Sequence, residues 1–316
     1  MVKYVATRVA MIIPVLLIVS TGTFLLIELI PGDPAVAVLG PNGTPEDYER
    51  IRTEMGLDEP LITRYVEWLS DIVLRQDLGS SLVPPVEPVT DRLARAFPVN
   101  VELALLALAI AIAVSLPLGI LSAYKQGSVL DRLVTTASFG LISIPSFLAG
   151  IVLILLFAIQ WGIFPLGPWQ RPTEAGWAAN LHHAILPAIT LALAEIGTFA
   201  RLVRNDMIDT LQQDYVLSAR AKGMGTLHVL IREALRPSSF SLLTLAGVNL
   251  GRLIGGTVII EALFSLPGLG RVIVEGALTS DYTLVQGAVL IVALSYVLVN
   301  LVVDLLYYVL DPRVQR

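Results

Sequence analysis

Residues 101–123 form a long apolar run, VELALLALAIAIAVSLPLGILSA, in which Glu102 is the only charged residue. A helix rises about 1.5 Å per residue, so about 20 apolar residues cross the roughly 30 Å hydrocarbon core of a bilayer. The run is therefore long enough and apolar enough to predict a membrane-spanning helix.

Similar apolar runs recur along the 316-residue chain. The whole chain is 55% hydrophobic and 15% charged, whereas soluble domains are about 45–50% apolar and about 25% charged. We therefore predict an all-α membrane protein, a single membrane domain over residues 1–316 with six transmembrane helices. The other five runs are Val9–Ile30, Val134–Ile159, Ala184–Ala200, Phe240–Leu263 and Val285–Leu310.

Basic residues predict the orientation of these helices. With six spans both termini lie on one side, and the loops on that side collect most of the arginine and lysine, which is typical of the cytoplasmic side. We therefore expect cytoplasmic N and C termini. The residues concerned are Lys3, Arg8, Lys125, Arg132, Arg201, Arg204, Arg220, Lys222, Arg232, Arg236, Arg313 and Arg316.

The longest polar segment on the predicted outer side is the external loop, residues 31–98. Pro45-Glu46-Asp47 is typical of a helix start. A second stretch, Leu61–Leu74, is amphipathic and places Tyr65, Trp68, Leu69 and Ile72 on one face. Two interpretations stay open: helices that lie over the membrane face, or a docking platform for an external partner.

Composition excludes several kinds of site. The chain has no cysteine and three histidines, so we expect no disulfide, iron–sulfur cluster, zinc or haem. The net charge of −5 does not favour nucleic acid as a partner. None of the three lysines, Lys3, Lys125 and Lys222, lies in a phosphate-binding P-loop. We therefore expect no catalytic residue, metal or cofactor on this chain, and any ATP it depends on binds to another subunit.

The inner segment, residues 201–238, is too polar to cross lipid. Residues 214–225 read DYVLSARAKGMG, which predicts a short helix closed by glycine, with Thr226 as the N-cap of a second helix that Pro237 ends. Such a glycine corner could present a rigid helix to a soluble partner, with Tyr215, Val216 and Ala219 as contacts. An ordinary amphipathic linker is the alternative.

Tyr215–Gly223, YVLSARAKG, resembles the coupling loop of membrane subunits of ATP-binding-cassette (ABC) importers, in the branch that carries dipeptides, oligopeptides and nickel. Leu217 stands where the general motif has an acidic residue, and Arg236 precedes the motif's final proline. Other regions share the resemblance, so that it covers nearly the whole chain: LIPGDP at 29–34, EALFSLPGLG at 261–270, NLVVD at 300–304 with Tyr307, and DPR at 311–313.

This resemblance implies a permease subunit that transports peptides delivered by an external solute-binding protein. Its other implied partners are a second homologous permease, two cytoplasmic ATP-binding subunits that hold ATP and Mg²⁺, and membrane lipid. Nickel chelates and other small solutes are alternative cargoes. The residues that the resemblance places on a coupling helix, seated in a groove of one ATPase, are Tyr215, Val216, Ser218, Ala219, Arg220, Ala221, Lys222 and Gly223.

The fifth apolar run carries Gly247, Gly251 and Gly255 at every fourth residue. Such a ridge allows another helix backbone to approach closely. The ridge could serve packing alone, or it could line the interface between two permeases, with Asn249 and Arg252 beside the path of the cargo.

Ionisable residues inside predicted spans leave a further function open. Glu195 and Asp304 could form a proton relay, which makes a proton-coupled secondary transporter the main alternative. The chain shows no inverted repeat to support it. A membrane enzyme is disfavoured because the histidines lie outside the runs. Glu28 and Glu261 lie near run ends and are expected to reach the interface, and the sequence fixes no partner for Arg252.

Overall fold

The computed structural model describes residues 2–28, 34–39, 43–54 and 56–310. These residues form helices joined by loops, and one isolated β-bridge pairs Ser80 with Pro88. The predicted all-α fold class is thereby confirmed for the described residues. The LIPGDP motif, apart from Pro34, and the DPR motif lie outside them.

The helices follow one another closely. They are α1 Val2–Glu28, α2 Pro34–Leu39, α3 Pro45–Glu54, α4 Leu61–Ser70, α5 Val89–Tyr124, α6 Val129–Ser143, α7 Ser146–Leu153, α8 Pro172–Leu211, α9 Asp214–Ala221, α10 Thr226–His228, α11 Arg236–Gly255, α12 Val258–Leu263, α13 Leu269–Leu278 and α14 Tyr282–Leu310. Wider π-helical turns follow α4, α7 and α10, at Asp71–Arg75, Ile154–Gln160 and Val229–Leu235.

Three described helices are long and apolar enough to cross a membrane by themselves: α5, α8 and the Tyr282–Leu305 part of α14. A fourth span results if α6 is counted with residues 146–160, although this pair is bent by 101°. In α1 the apolar stretch Ala10–Leu25 is shorter. In α11 the polar residues Asn249 and Arg252 interrupt the apolar sequence. The count of six spans therefore stays a prediction.

The predicted runs differ in their limits from the helices that the structure contains. α8 spans Pro172–Leu211 with a kink at Gly176, where φ is +81°, and extends beyond the apolar run Ala184–Ala200 at both ends, because a helix can continue into water where polar residues such as Arg204 follow. The run Phe240–Leu263 is interrupted at Gly256 and Thr257, between α11 and α12.

The chain divides into two compact units, residues 1–100 with 267–298, and residues 101–266 with 299–316. In the first unit a hydrophobic core joins the loop before α5, the start of α5, α13 and α14. It contains Leu78, Val89, Leu93, Ala96, Leu269, Val272, Leu284, Ala288 and Leu290. Hydrogen bonds reinforce it, from Ser81 Oγ to the Asp281 carboxylate and from Arg92 to Glu275 at 2.9 Å.

The apolar face of the outer helix α4 packs inward, within the first unit. The Tyr65 hydroxyl lies 2.9 Å from Ser20 Oγ, and the Tyr65 and Trp68 rings contact Phe24 of α1. Trp68 and Ile72 also pack against the core of this unit. The predicted shared face of α4 is therefore used for packing on this chain, which leaves other residues of the external loop for any partner.

In the second unit, α8 is the central helix, with α6, α7 and α11 packed against it. Its largest fully buried side chain is Phe199. Gly197 of α8 lies against the backbone oxygen of Ser138 in α6, at a distance that leaves no room for a Cβ. The expectation that Glu261 reaches the interface is wrong: its side chain is fully buried in α12, where Thr257 Oγ1 donates a hydrogen bond to it at 2.5 Å.

Candidate functional site

The candidate site on the inner segment is a short helix followed by a glycine corner. α9 begins after Gln213, whose backbone is extended, and ends at Ala221. Gly223 has φ of +77°, a left-handed conformation that other residues rarely adopt. Its N–H donates to the Arg220 carbonyl at 2.9 Å, and the Met224 N–H donates to the Ala219 carbonyl at 3.3 Å. The glycine thus ends α9 and turns the chain.

Space around Gly223 is open. A Cβ placed on it meets no atom of the described structure within 4 Å. Glycine is therefore required here by the backbone angle and not by a close contact with the described residues. Gly225, two residues later, has an extended backbone with φ of −65° and also has open space around it.

Two of the three contacts that we predicted for a partner on α9 face inward. Val216 is fully buried and Ala219 is 6% exposed, because α9 packs on the π-helical turn Val229–Leu235. Of the three, only Tyr215 is available, and it is 46% exposed. The prediction of Val216 and Ala219 as partner contacts is therefore wrong for this structure.

The predicted limits of the second helix are also wrong. Gly225 takes the N-cap position, and Thr226 is already helical and makes no side-chain cap. Pro237 lies in the first turn of α11. The preceding turn Val229–Leu235 is itself helical, so the chain passes Pro237 without a helix end.

Apolar side chains are exposed on both sides of the glycine corner. Leu217 on α9, Leu227 on α10 and Ile231 on the following turn are each about half exposed or more. Exposed apolar side chains in an otherwise polar segment are typical of a protein contact surface. Of the predicted coupling residues, Ser218, Arg220, Ala221, Lys222 and Gly223 are also exposed.

A hydrogen bond from Tyr215 links this corner to the π-helical turn Val229–Leu235. Its hydroxyl donates to the Glu233 carbonyl at 3.5 Å. Partial burial raises the pKa of the Tyr215 hydroxyl, and the negative charge of Glu233 raises it further. The hydroxyl therefore stays protonated at neutral pH and remains a donor.

A buried ion pair that sequence analysis missed joins the first turn of α6 to α8. Arg204 binds Asp131 with two nitrogens, at 2.5 Å from Nε and 2.9 Å from Nη2. Ser122 Oγ and the Gly127 N–H also donate to the Asp131 carboxylate. Ser128 caps α6 by accepting from the Asp131 N–H. A serine followed three residues later by an acid was the available signal for this cap.

A second polar cluster lies between α8 and α11. Glu195 is buried, with only 3% of its side chain exposed. Asn249 Nδ2 donates to Glu195 Oε2 at 2.6 Å, and Arg252 Nη2 donates to Glu195 Oε1. The structure therefore supplies the partner of Arg252 that the sequence did not fix. It also joins two of the predicted path residues, Asn249 and Arg252.

The glycine ridge on α11 is a packing surface at Gly247. A Cβ on Gly247 would collide with the side chain of Val303 in α14. Gly251 is buried and Gly255 is half-buried. Gly247 therefore allows α14 to approach α11, as the packing interpretation of the ridge expects.

Comparison with known families covers nearly the whole chain. The family described as binding-protein-dependent transport system inner membrane component matches residues 115–316. The family of N-terminal parts of such membrane components matches residues 1–104.

Individual relatives match along their full length. A Brucella abortus protein whose name describes a peptide transport system permease is 41% identical over 317 aligned positions, which cover 100% of this chain and 99% of the relative. The oligopeptide transport system permease protein AppB of Bacillus subtilis is 34% identical and covers 100% of both chains.

A solved structure is similar in fold. One chain of the inward-facing MetNI methionine ABC transporter superposes with a TM-score of 0.58. The match covers 71% of this chain and 99% of that one, at 18% identity. At this identity the likeness concerns the fold alone.

Proposed function

This chain belongs to the family of binding-protein-dependent transport system inner membrane components, and we propose that it is the peptide-transporting permease subunit of an ABC importer. In this proposal it is a single multi-pass domain of six transmembrane helices with cytoplasmic termini. An external solute-binding protein delivers the peptide, and ATP and Mg²⁺ bind to two cytoplasmic partner subunits.

The observation that carries the proposal is similarity over full length to peptide permeases, combined with an exposed corner on the inner segment. The relatives named for peptide and oligopeptide transport align from end to end, so the likeness is not limited to one shared motif. The corner carries the exposed side chains of Leu217 and Leu227, and such a rigid helix with apolar contacts suits a groove on a soluble ATPase.

The proposed coupling mechanism uses α9 as a rigid contact. Its buried side, with Val216 and Ala219, fixes α9 on the segment that leads into α11. Its exposed side, with Tyr215, Ser218, Arg220 and Lys222, meets the ATPase. Movement of the ATPase then displaces α9 and is passed to α11, because packed helices transmit displacement with little compression.

A second homologous permease completes the translocation path in this proposal, and α11 lines it. The alternative of a proton-coupled secondary transporter has no support from the family or its relatives. Its proposed relay group Glu195 is also engaged by Asn249 and Arg252.

Substitution at the corner tests the coupling role. Gly223→Val should abolish peptide transport by the assembled complex while the protein still inserts in the membrane, because valine is strongly disfavoured at φ of +77°. Gly223→Asn should retain much of the transport, since asparagine tolerates left-handed angles. Gly225→Ala is the matched control, and its transport should equal that of wild type because its backbone suits any residue.

Two measurements accompany the transport assay: co-purification of the ATPases and stimulation of ATP hydrolysis by loaded binding protein. Loss of co-purification in Gly223→Val places the defect in docking. Retained ATPases that no longer respond to loaded binding protein place it in signal transfer. Normal transport with normal stimulation would contradict the coupling role and leave the linker interpretation.

A further inference from the structure

The ion pair between Arg252 and Glu195 is strongly asymmetric in burial. The Glu195 side chain is 3% exposed, whereas the Arg252 side chain is 62% exposed. A buried ion pair repays the cost of desolvation only when its geometry is good and its remaining donors and acceptors are hydrogen-bonded. Here a buried carboxylate holds one end of a guanidinium whose larger part is accessible.

The buried side of this pair is rigidly built. Asn249 and Arg252 lie three residues apart on α11, so they share a face, and both donate to Glu195 of α8. One oxygen of the carboxylate accepts from the amide and the other from Arg252 Nη2. Arg252 carries five N–H donors in a planar fork, and Nη2 is the nitrogen that reaches Glu195.

The exposed face of α11 around Arg252 mixes polar and apolar residues. Ser241, Thr244 and Val248 are exposed and precede Arg252 at intervals of three or four residues, so the four share one face of the helix. An arginine exposed to lipid near the middle of a bilayer costs at least about 2.5–3.5 kcal/mol. The Arg252 end of this face therefore suits water better than lipid.

We propose that Arg252 binds the carboxylate of the transported solute, and that Glu195 and Asn249 act as positioning residues for it. The inference rests on the proposed function, because it assigns the ligand class of a residue on the predicted path. A free peptide C-terminus offers two oxygens that match the planar fork of a guanidinium. A C-terminal amide is neutral and makes a weaker contact.

The fixed pair also limits how tightly such a cargo is held. Glu195 offsets part of the positive charge of Arg252. A carboxylate that passes therefore meets a partly neutralised ion pair whose guanidinium N–H donors are fixed in direction. Binding that orients the cargo and still releases it is what a translocation path requires.

The test compares a peptide with its amide in the reconstituted complex of this chain with its second permease, ATPases and binding protein. The probes are trialanine and trialanine amide. Each is used at a concentration that saturates the binding protein, so that a difference in affinity for that protein does not affect the compared transport rates. Wild type should transport trialanine about tenfold faster than the amide. Arg252→Gln should lower the trialanine rate about tenfold and change the amide rate less than about twofold.

Two further variants keep the test independent of folding. Arg252→Lys retains the charge beside Glu195 and loses the planar fork, so it should show an intermediate preference. The double variant Glu195→Gln with Arg252→Gln leaves no buried charge unpaired, and it should assemble normally while discriminating no better than Arg252→Gln. Arg271→Gln is the matched control, because Arg271 is paired with Glu275 at 2.6 Å in the other unit, and it should keep the wild-type preference.

The outcomes separate the inference from the function on which it rests. If Arg252→Gln slows both peptides equally, or slows neither, the proposed carboxylate contact is wrong and peptide import stands. If the wild-type complex transports neither peptide, the proposed function itself fails and the carboxylate assignment falls with it.

Discussion

At the scale of single residues, the Asp131 carboxylate accepts several hydrogen bonds that no sequence motif predicted. Its carboxylate accepts from Arg204, Ser122 and the Gly127 N–H, and its side chain is 6% exposed. These contacts join α6, on which Asp131 lies, to the end of α5, the following turn and α8. The residue therefore holds these segments together.

Asp131→Ala should destabilise the protein by roughly 3–5 kcal/mol, because it leaves the Arg204 guanidinium partly buried without its carboxylate. The measurement is thermal unfolding of the purified protein in detergent, followed as a fall in Tm. Glu174→Ala is the control: Glu174 meets Arg171 at 4.0 Å and is 70% exposed, so its loss should cost less than about 0.5 kcal/mol. An equal effect in both variants would contradict the role assigned to burial.

At the scale of helices, breaks and close approaches shape the second unit. α6 and α7 are separated at Pro145, where the pair bends by 101°, because the residue before a proline is disfavoured in the helical region. α11 approaches α14 at Gly247, where a side chain would collide with Val303. Small residues and prolines thus decide where these helices touch and where they turn.

Gly247→Leu should impair assembly or transport far more than Gly22→Leu. The new side chain at 247 must displace Val303, whereas a Cβ on Gly22 of α1 meets no atom of the described residues within 4 Å. We expect Gly251→Leu to behave like Gly247→Leu, since Gly251 is buried on the same ridge. Transport is measured with membrane expression matched, and equal tolerance at positions 22 and 247 would remove the packing argument.

At the scale of the whole molecule, the chain is one part of a larger machine. Membership of the family confirms the resemblance to ABC importer permeases and the multi-pass plasma-membrane location. In importers of this kind, separate proteins hydrolyse the nucleotide and bind the solute. The permease provides the translocation path and the contacts through which movement reaches that path.

The isolated chain should bind no ATP, because none of its three lysines lies in a P-loop, while the assembled complex should hydrolyse ATP. Equilibrium binding of a labelled nucleotide to the purified chain is the direct measurement, with the complex as the positive control. Saturable nucleotide binding to the chain alone would overturn the assignment of ATP to partner subunits.

Several properties could be predicted from local sequence. The helical fold class follows from apolar runs of the length of a bilayer, because backbone groups in lipid must be satisfied within the segment. The helix over Asp214–Ala221 and its glycine stop follow from composition, because glycine readily adopts the left-handed angle that the structure shows at Gly223. The family follows from motifs spread along the chain.

Other properties depended on residues far apart in sequence. Glu195 and Arg252 are 57 positions apart, and Asp131 and Arg204 are 73 apart. The periodicity of polar residues predicts which face of a helix is polar, but it does not predict which other helix that face contacts. Val216 and Ala219 looked like partner contacts for the same reason, because the turn that covers them follows only later in the chain. The tertiary structure alone decided these pairings, because a buried charge must pair with an opposite charge that the packed fold brings within contact distance.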